Sequence, residues 1–301
     1  MKGFLATRSL SAKLFMLFTL LLLGAIVFTS VGMGLAVSVY GLSFEEIAEA
    51  LSQADSRATA ELLRLVQGFA TVGTFLVPAL VGAYLFSLQP QRFLGLESFA
   101  QPPLAALLLI VLISFSGGFL SDALYQLSVS IPWPESWEVV QNYIEASQNQ
   151  MNARYQSFLD MPNFLVFMRV LLVMALLPAV AEEAFFRGVL QPLLSESMGQ
   201  TKGVFITAFV FALLHQQPLA FLSIFALGVI LGYLRAWSGS LWVSTLAHFM
   251  NNGAIVVWVF FTGDDYLTNA GTTEWVYSLG MLVVLVLSLG LFKKYIKPRQ
   301  L

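Results

Sequence analysis

Residues 164–190 read FLVFMRVLLVMALLPAVAEEAFFRGVL. The run is long enough to cross a bilayer, which takes about 20 mainly apolar residues in a helix. Yet it carries Arg169, Glu182, Glu183 and Arg187. An ionised side chain at membrane depth costs at least about 2.5–3.5 kcal/mol on insertion scales, so such residues turn toward a bundle interior and hold a partner or a function there. Further apolar runs surround this one, at residues 14–40, 65–88, 102–120, 204–215, 219–237, 241–261 and 274–292. The reading is an all-α, polytopic integral membrane helix bundle of about eight transmembrane helices.

Composition agrees. Of 301 residues 58% are hydrophobic and only 11% charged, whereas a soluble domain is about 45–50% apolar and about 25% charged. A soluble fold of this length needs more polar residues to cover its surface, and abundant Phe with few charges excludes a disordered chain. The net charge of −2 leaves no basic footprint for nucleic acid. With no cysteine there is no disulfide, thiol nucleophile or Cys-ligated metal. The first run, uncharged from Lys13 to Glu45, is too long for the apolar core of a cleaved signal peptide and reads as a retained anchor. The fifth run is short and ends at Gln216-Gln217-Pro218; the alternative is that it continues into the sixth through a kink at Pro218.

Orientation follows from Lys and Arg. Lys2, Arg8, Lys13, Arg92, Lys202, Arg235, Lys293, Lys294, Lys297 and Arg299 fall on one side of an eight-span chain, and Arg57, Arg64 and Arg154 on the other. Ten against three puts both termini in the cytosol. The acidic loop residues, among them Asp55, Asp264 and Asp265, fall outside. Two outside segments are longer than turns. Ser43-Phe44-Glu45-Glu46 reads as a capping box opening a short helix with Ile47, Leu51, Ala54, Ala58 and Leu62 on its apolar face. Residues 133–160 place Trp133, Trp137, Val140 and Ile144 on one stripe. Both read as amphipathic connectors on the membrane surface, within residues 43–64 and 133–160. The chain divides into residues 1–163, with spans one to three and these segments, and residues 164–301, with spans four to eight.

Polar residues inside the spans carry the functional argument. Glu182 and Glu183 are adjacent, so they point about 100° apart on a helix. Glu183 and Arg187 stand at i,i+4 with the acid first, the favoured ion-pair order. If Arg187 holds Glu183, Glu182 is left to face something else; the alternative is a cluster of all three where the helix emerges. The chain has two histidines, His215 and His248, both in spans. Phe211 and His215 share one helical face, and His248 and Asn252 share another. Phe211 reads as packing and Asn251, pointing elsewhere, ranks lower. Counting about 1.5 Å per residue, the acid, the imidazoles and the amide fall at similar depth in the cytosolic half. Such a set activates a water and stabilises an oxyanion.

Three motifs stand at these residues: EExxxR as Glu182-Glu183-Ala184-Phe185-Phe186-Arg187, FxxxH as Phe211 to His215, and HxxxN as His248 to Asn252. In order, spacing and placement on separate spans they resemble the CPBP (Abi) family of intramembrane proteases, which includes the type II CAAX prenyl proteases and bacterial relatives. The resemblance covers residues 178–253. It implies that Glu182 and His215 activate the attacking water, and that His248 and Asn252 form the oxyanion hole, with Glu183 and Arg187 as motif companions. The implied reaction is hydrolysis of a peptide bond in a membrane-associated protein or peptide, prenylated in the eukaryotic members. No cofactor is required in this reading. The alternative is a zinc site, with Glu182 or Glu183, His215 and His248 as ligands and a water in the open position; the chain lacks HExxH. Two other classes remain, a non-catalytic immunity or scaffold protein and a transporter with a buried proton relay. No internal repeat or paired broken helices support the transporter. Gly228 and Gly232 read as close helix packing.

Overall fold

The computed structural model describes residues 1–53, 57–96, 103–263 and 273–296. Among them every regular element is helical and there is no strand. In chain order the helices are α1 (Leu10–Tyr40), α2 (Phe44–Gln53), α3 (Ala60–Phe86), α4 (Pro90–Leu94), α5 (Pro103–Ser130), α6 (Glu138–Phe158), α7 (Phe164–Met198), α8 (Gln200–Leu214), α9 (Phe221–Ser238), α10 (Leu241–Thr262) and α11 (Trp275–Tyr295). Seven of them, α1, α3, α5, α7, α9, α10 and α11, are long and apolar enough to cross a membrane. The fifth apolar run forms α8, whose 15 residues span only about 22 Å of a hydrocarbon core about 30 Å thick. Ala54, Asp55, Pro102, Asp264, Asp265, Lys297 and Arg299 lie outside the described residues, as do the side chains of Leu51, Arg57 and Ala58.

α8 does not continue into α9 through a kink. It stops at Leu214, Gln216 adopts a left-handed φ of 54°, and α9 begins at Phe221. Pro218 cannot donate a backbone hydrogen bond and its ring crowds the preceding turn, so it opens a connection rather than bending one helix. Three other prolines do sit inside helices. π-helical turns at Val72–Leu76, Leu171–Leu176 and Phe186–Leu190 each end two residues before a proline, Pro78, Pro178 and Pro192 respectively. A helical proline clashes with the carbonyl four residues back, here that of Thr74, Met174 or Gly188, and each of those lies inside the widened turn. The wider turn makes room for the ring while keeping the backbone bonded. From sequence a kink is expected at Pro218 alone, and these three turns are seen only in the structure.

The chain divides into two compact units. The first comprises Met1–Leu94, Asn152–Leu190 and Asn252–Asp264. α1 and α3 pack at close range in it: a Cβ built on Gly24 would lie 2.0 Å from the Gly73 carbonyl oxygen. A Cβ on Gly73 would lie 2.2 Å from Phe28 Cβ. The capping box forms as read, with the Ser43 N–H donating to Glu46 Oε2 (2.7 Å) and the Glu46 N–H to Ser43 Oγ (3.2 Å). These bonds, the one from the Ser43 backbone foremost, hold the Glu46 carboxyl below its ordinary pKa. Ile47 and Leu62 are buried with Ala36 and Val66 beneath it. Arg64 is buried and ties down the end of α6. Its guanidinium donates to the carbonyls of Asp160 (2.7 Å), Phe158 (2.9 Å) and Ser157 (3.2 Å) and pairs with Glu61 (3.2 Å). The Phe158 carbonyl, on the last residue of α6, is one that a helix C-terminus leaves unsatisfied. The other Glu61 oxygen holds Arg169 at 3.2 Å. Two of the charges in the spans thus share one carboxylate, and α3 begins earlier than the charge-free run at residues 65–88 implied.

The second unit comprises Gly95–Met151, Gln191–Asn251 and Asp265–Leu301. Ile110 and Ile113 of α5, Leu231 and Leu234 of α9, Val243 of α10 and Leu285 and Phe292 of α11 form its buried core. α5 continues past Leu120 to Ser130. α8 and α9 pack at close range: a Cβ on Gly228 would lie 3.0 Å from Ala208 Cβ, and one on Gly232 would lie 2.8 Å from Val204 Cγ1. This is the close packing read from the glycine spacing. Gln191 Nε2 donates to the Gly232 carbonyl at 3.0 Å. Of the expected aromatic stripe, Trp133 and Trp137 are neighbours with ring centroids 6.4 Å apart, and Trp137 and Val140 are exposed.

Gly24→Ala is expected to lower the thermal unfolding temperature of detergent-purified protein, because overpacking costs typically about 1–3 kcal/mol. Gly34→Ala, on the same helix with nothing within 4 Å of its built Cβ, is expected to be neutral or stabilising by up to about 1 kcal/mol. Equal effects from the two would contradict the α1–α3 contact.

Candidate active site

The first unit carries the EExxxR residues on α7. Glu183 and Arg187 are both fully buried, and Arg187 Nη1 donates to Glu183 Oε1 at 2.7 Å. The pairing follows from helix geometry, since residues four apart lie one above the other on one face. Rings surround the pair. Arg187 Cζ lies 5.9 Å from the Phe186 ring centroid. Phe75 of α3 contacts Phe185 (5.7 Å) and Phe186 (5.6 Å), and Phe18 of α1 contacts Phe185 (6.4 Å). The Phe186 N–H reaches the carbonyls of both Glu182 and Glu183, which opens the π turn that holds Arg187. Glu182, one residue before the buried acid, is only half-buried. Asn252 belongs to the same unit and is half-buried on α10.

The second unit carries both imidazoles. His215 stands just past the last residue of α8 and is half-buried. Its Nδ1 lies 2.7 Å from the Phe211 carbonyl oxygen. A carbonyl only accepts, so Nδ1 bears the proton and, in the neutral ring, Nε2 keeps its lone pair. His248 on α10 is buried. The Phe211 ring, itself buried, lies 4.5 Å from the His215 ring and 5.9 Å, edge-on, from that of His248. Phe211 therefore touches both imidazoles and supplies the carbonyl that orients one of them, a part that the sequence reading reduced to packing. The FxxxH spacing was the signal for it.

The structure brings Glu183 together with Arg187, and Phe211 with His215 and His248. Glu182 stands next to the first pair in sequence with different exposure, and Asn252 follows His248 by one turn of α10. Among the described residues no group of three His, Asp or Glu side chains is arranged to hold a metal ion.

The fold defines a polytopic helical membrane protein with ionisable and amide groups carried by its spans. Residues 164–254 match the family model described as type II CAAX prenyl endopeptidase Rce1-like. All three motifs lie inside the match, so the segment is similar to this protease family over the residues that carry them. No match is found among curated proteins or solved structures.

Removing one partner of a buried ion pair leaves an uncompensated charge and costs about 3–5 kcal/mol. Arg187→Ala is therefore expected to lower the unfolding temperature strongly, while Glu182→Gln, which keeps size and hydrogen bonding, is expected to leave it nearly unchanged. Thermal unfolding in detergent reads both. The reverse order would refute the assignment of Glu183 rather than Glu182 to Arg187.

Proposed function

We propose that this integral membrane protein is an intramembrane endopeptidase of CAAX type, cutting a peptide bond in a membrane-associated protein or peptide substrate. The observation that carries the reading is the different standing of the two adjacent acids. Glu183 is committed to Arg187 at 2.7 Å, and Glu182 is only half-buried beside it. In this reading residues 164–301 form the catalytic bundle. Glu182 takes a proton from a water that attacks the scissile carbonyl, and His215, through Nε2, orients that water. The carbonyl oxygen becomes an oxyanion and accepts hydrogen bonds from His248 and Asn252. Collapse of the tetrahedral species breaks the C–N bond, and the proton held by Glu182 passes to the leaving amine. Atoms balance without a cofactor, and we propose that no metal takes part.

Glu182→Gln is expected to abolish turnover because Gln cannot accept the proton. Asn252→Ala is expected to lower kcat by about 10²–10³ with little change in KM, since the interaction forms only as charge develops. The measurement uses purified protein with prenylated and unprenylated peptides, and zinc content is read alongside. Near-normal kcat in Asn252→Ala would remove Asn252 from the site. Stoichiometric zinc that is lost in His248→Ala together with activity would replace the metal-free reading by zinc chemistry.

The same proposal places both termini in the cytosol, on the ten-to-three Lys and Arg asymmetry. Reporters fused after Leu301 and inserted in residues 133–160 are expected on opposite sides of the membrane. Finding both on one side would overturn the topology.

A further inference from the structure

The ends of α9 and α11 in the second unit carry a cluster of cations and aromatic rings that the proposed chemistry does not use. Lys293 Nζ lies 5.6 Å from the centroid of the Trp237 ring, and Lys294 Nζ lies 5.0 Å from that of Tyr295. Trp237 is stacked on Tyr233 at 5.0 Å. Arg235 lies between these two rings in sequence, with its guanidinium so close to Gly95 that a Cβ there would meet Nη2 at 2.3 Å. Lys293, Lys294 and Tyr295 are exposed, and Trp237 is half-buried. Among the described residues neither lysine has a carboxylate partner.

We infer that this cluster binds the headgroup of an anionic phospholipid. Both helices are long and apolar enough to span a membrane, so their ends fall where phosphate groups lie. Tyrosine and tryptophan favour that depth, and a ring beneath an ammonium holds it there while its N–H donors stay available to an anion. The occupant is a lipid rather than free phosphate because α11 leads away from the cations with Leu291, Leu287, Val286 and Val283 exposed, an apolar track for an acyl chain. The site does not depend on which side of the membrane it faces.

The test titrates detergent-purified full-length protein with phosphatidylglycerol, phosphatidylcholine or inorganic phosphate, and reads bound lipid by native mass spectrometry and unfolding temperature. Each surface cation contributes about a fivefold factor in affinity for an anionic lipid. Lys293→Gln is therefore expected to weaken phosphatidylglycerol binding about fivefold, and the pair Lys293→Gln with Lys294→Gln about thirtyfold. Phosphatidylcholine binding should not respond, and phosphate should neither stabilise the protein nor displace the lipid. Lys293→Arg with Lys294→Arg keeps the charge and should keep the binding, which separates loss of a site from loss of folding. Unchanged phosphatidylglycerol binding in the Gln pair would overturn the inference. An equal loss from Lys2→Gln with Arg8→Gln, at the other end of the sequence, would do the same by showing attraction to net charge alone. Displacement by phosphate would reassign the cluster to a free anion.

Discussion

Glu183 and Arg187 meet where no water reaches either of them, and much of α7 is arranged around that fact. A charge in a low-dielectric interior is tolerable only when its partner is close and its geometry is good. Helix periodicity supplies the closeness, and the Phe18, Phe75, Phe185 and Phe186 rings exclude competing solvent. The neighbouring Glu182 is distinguished by the same constraint. Side chains one residue apart cannot share a face, so fixing one acid on Arg187 turns the other elsewhere. Two chemically identical carboxylates thereby acquire different surroundings from a single hydrogen-bonded contact.

The spans were legible because a bilayer imposes a crude rule. Backbone groups must bond within the segment, so apolar length translates into helix. The rule reads poorly where charges satisfy one another. Glu61 and Arg64 lie inside α3 because Arg64 finds Glu61 on its own helix and three carbonyls at and just past the end of α6, and those carbonyls are nearly a hundred residues away in sequence, where no local pattern announces them. The π turns were invisible for a different reason. Pro78, Pro178 and Pro192 mark where a helix must change, but the choice among kinking, breaking and widening depends on packing, such as the approach of Gly24 to Gly73.

At the candidate site, spacing made the Glu183–Arg187 pair and the helical partners of each histidine readable. The place of Phe211 was not readable in the same way. An aromatic four residues before a histidine is ordinary packing in most helices. Here its importance comes from α8 ending directly after Leu214, and that ending is a property of the chain through Gln216 and Pro218. The match over residues 164–254 joins motifs that are individually weak.

The end of α8 combines two needs. A helix that ends in a bilayer leaves carbonyls without donors. Past Leu214 the His215 N–H turns to the Ala212 carbonyl at 3.3 Å, and the Phe211 carbonyl takes the imidazole N–H instead. The donor that terminates the helix is thus the same atom that selects the tautomer. With Nδ1 bonded to backbone, the orientation of the imidazole is set by the end of the helix it follows. Repositioning the end of α8 by a single residue would therefore turn the imidazole as surely as it would reroute the chain.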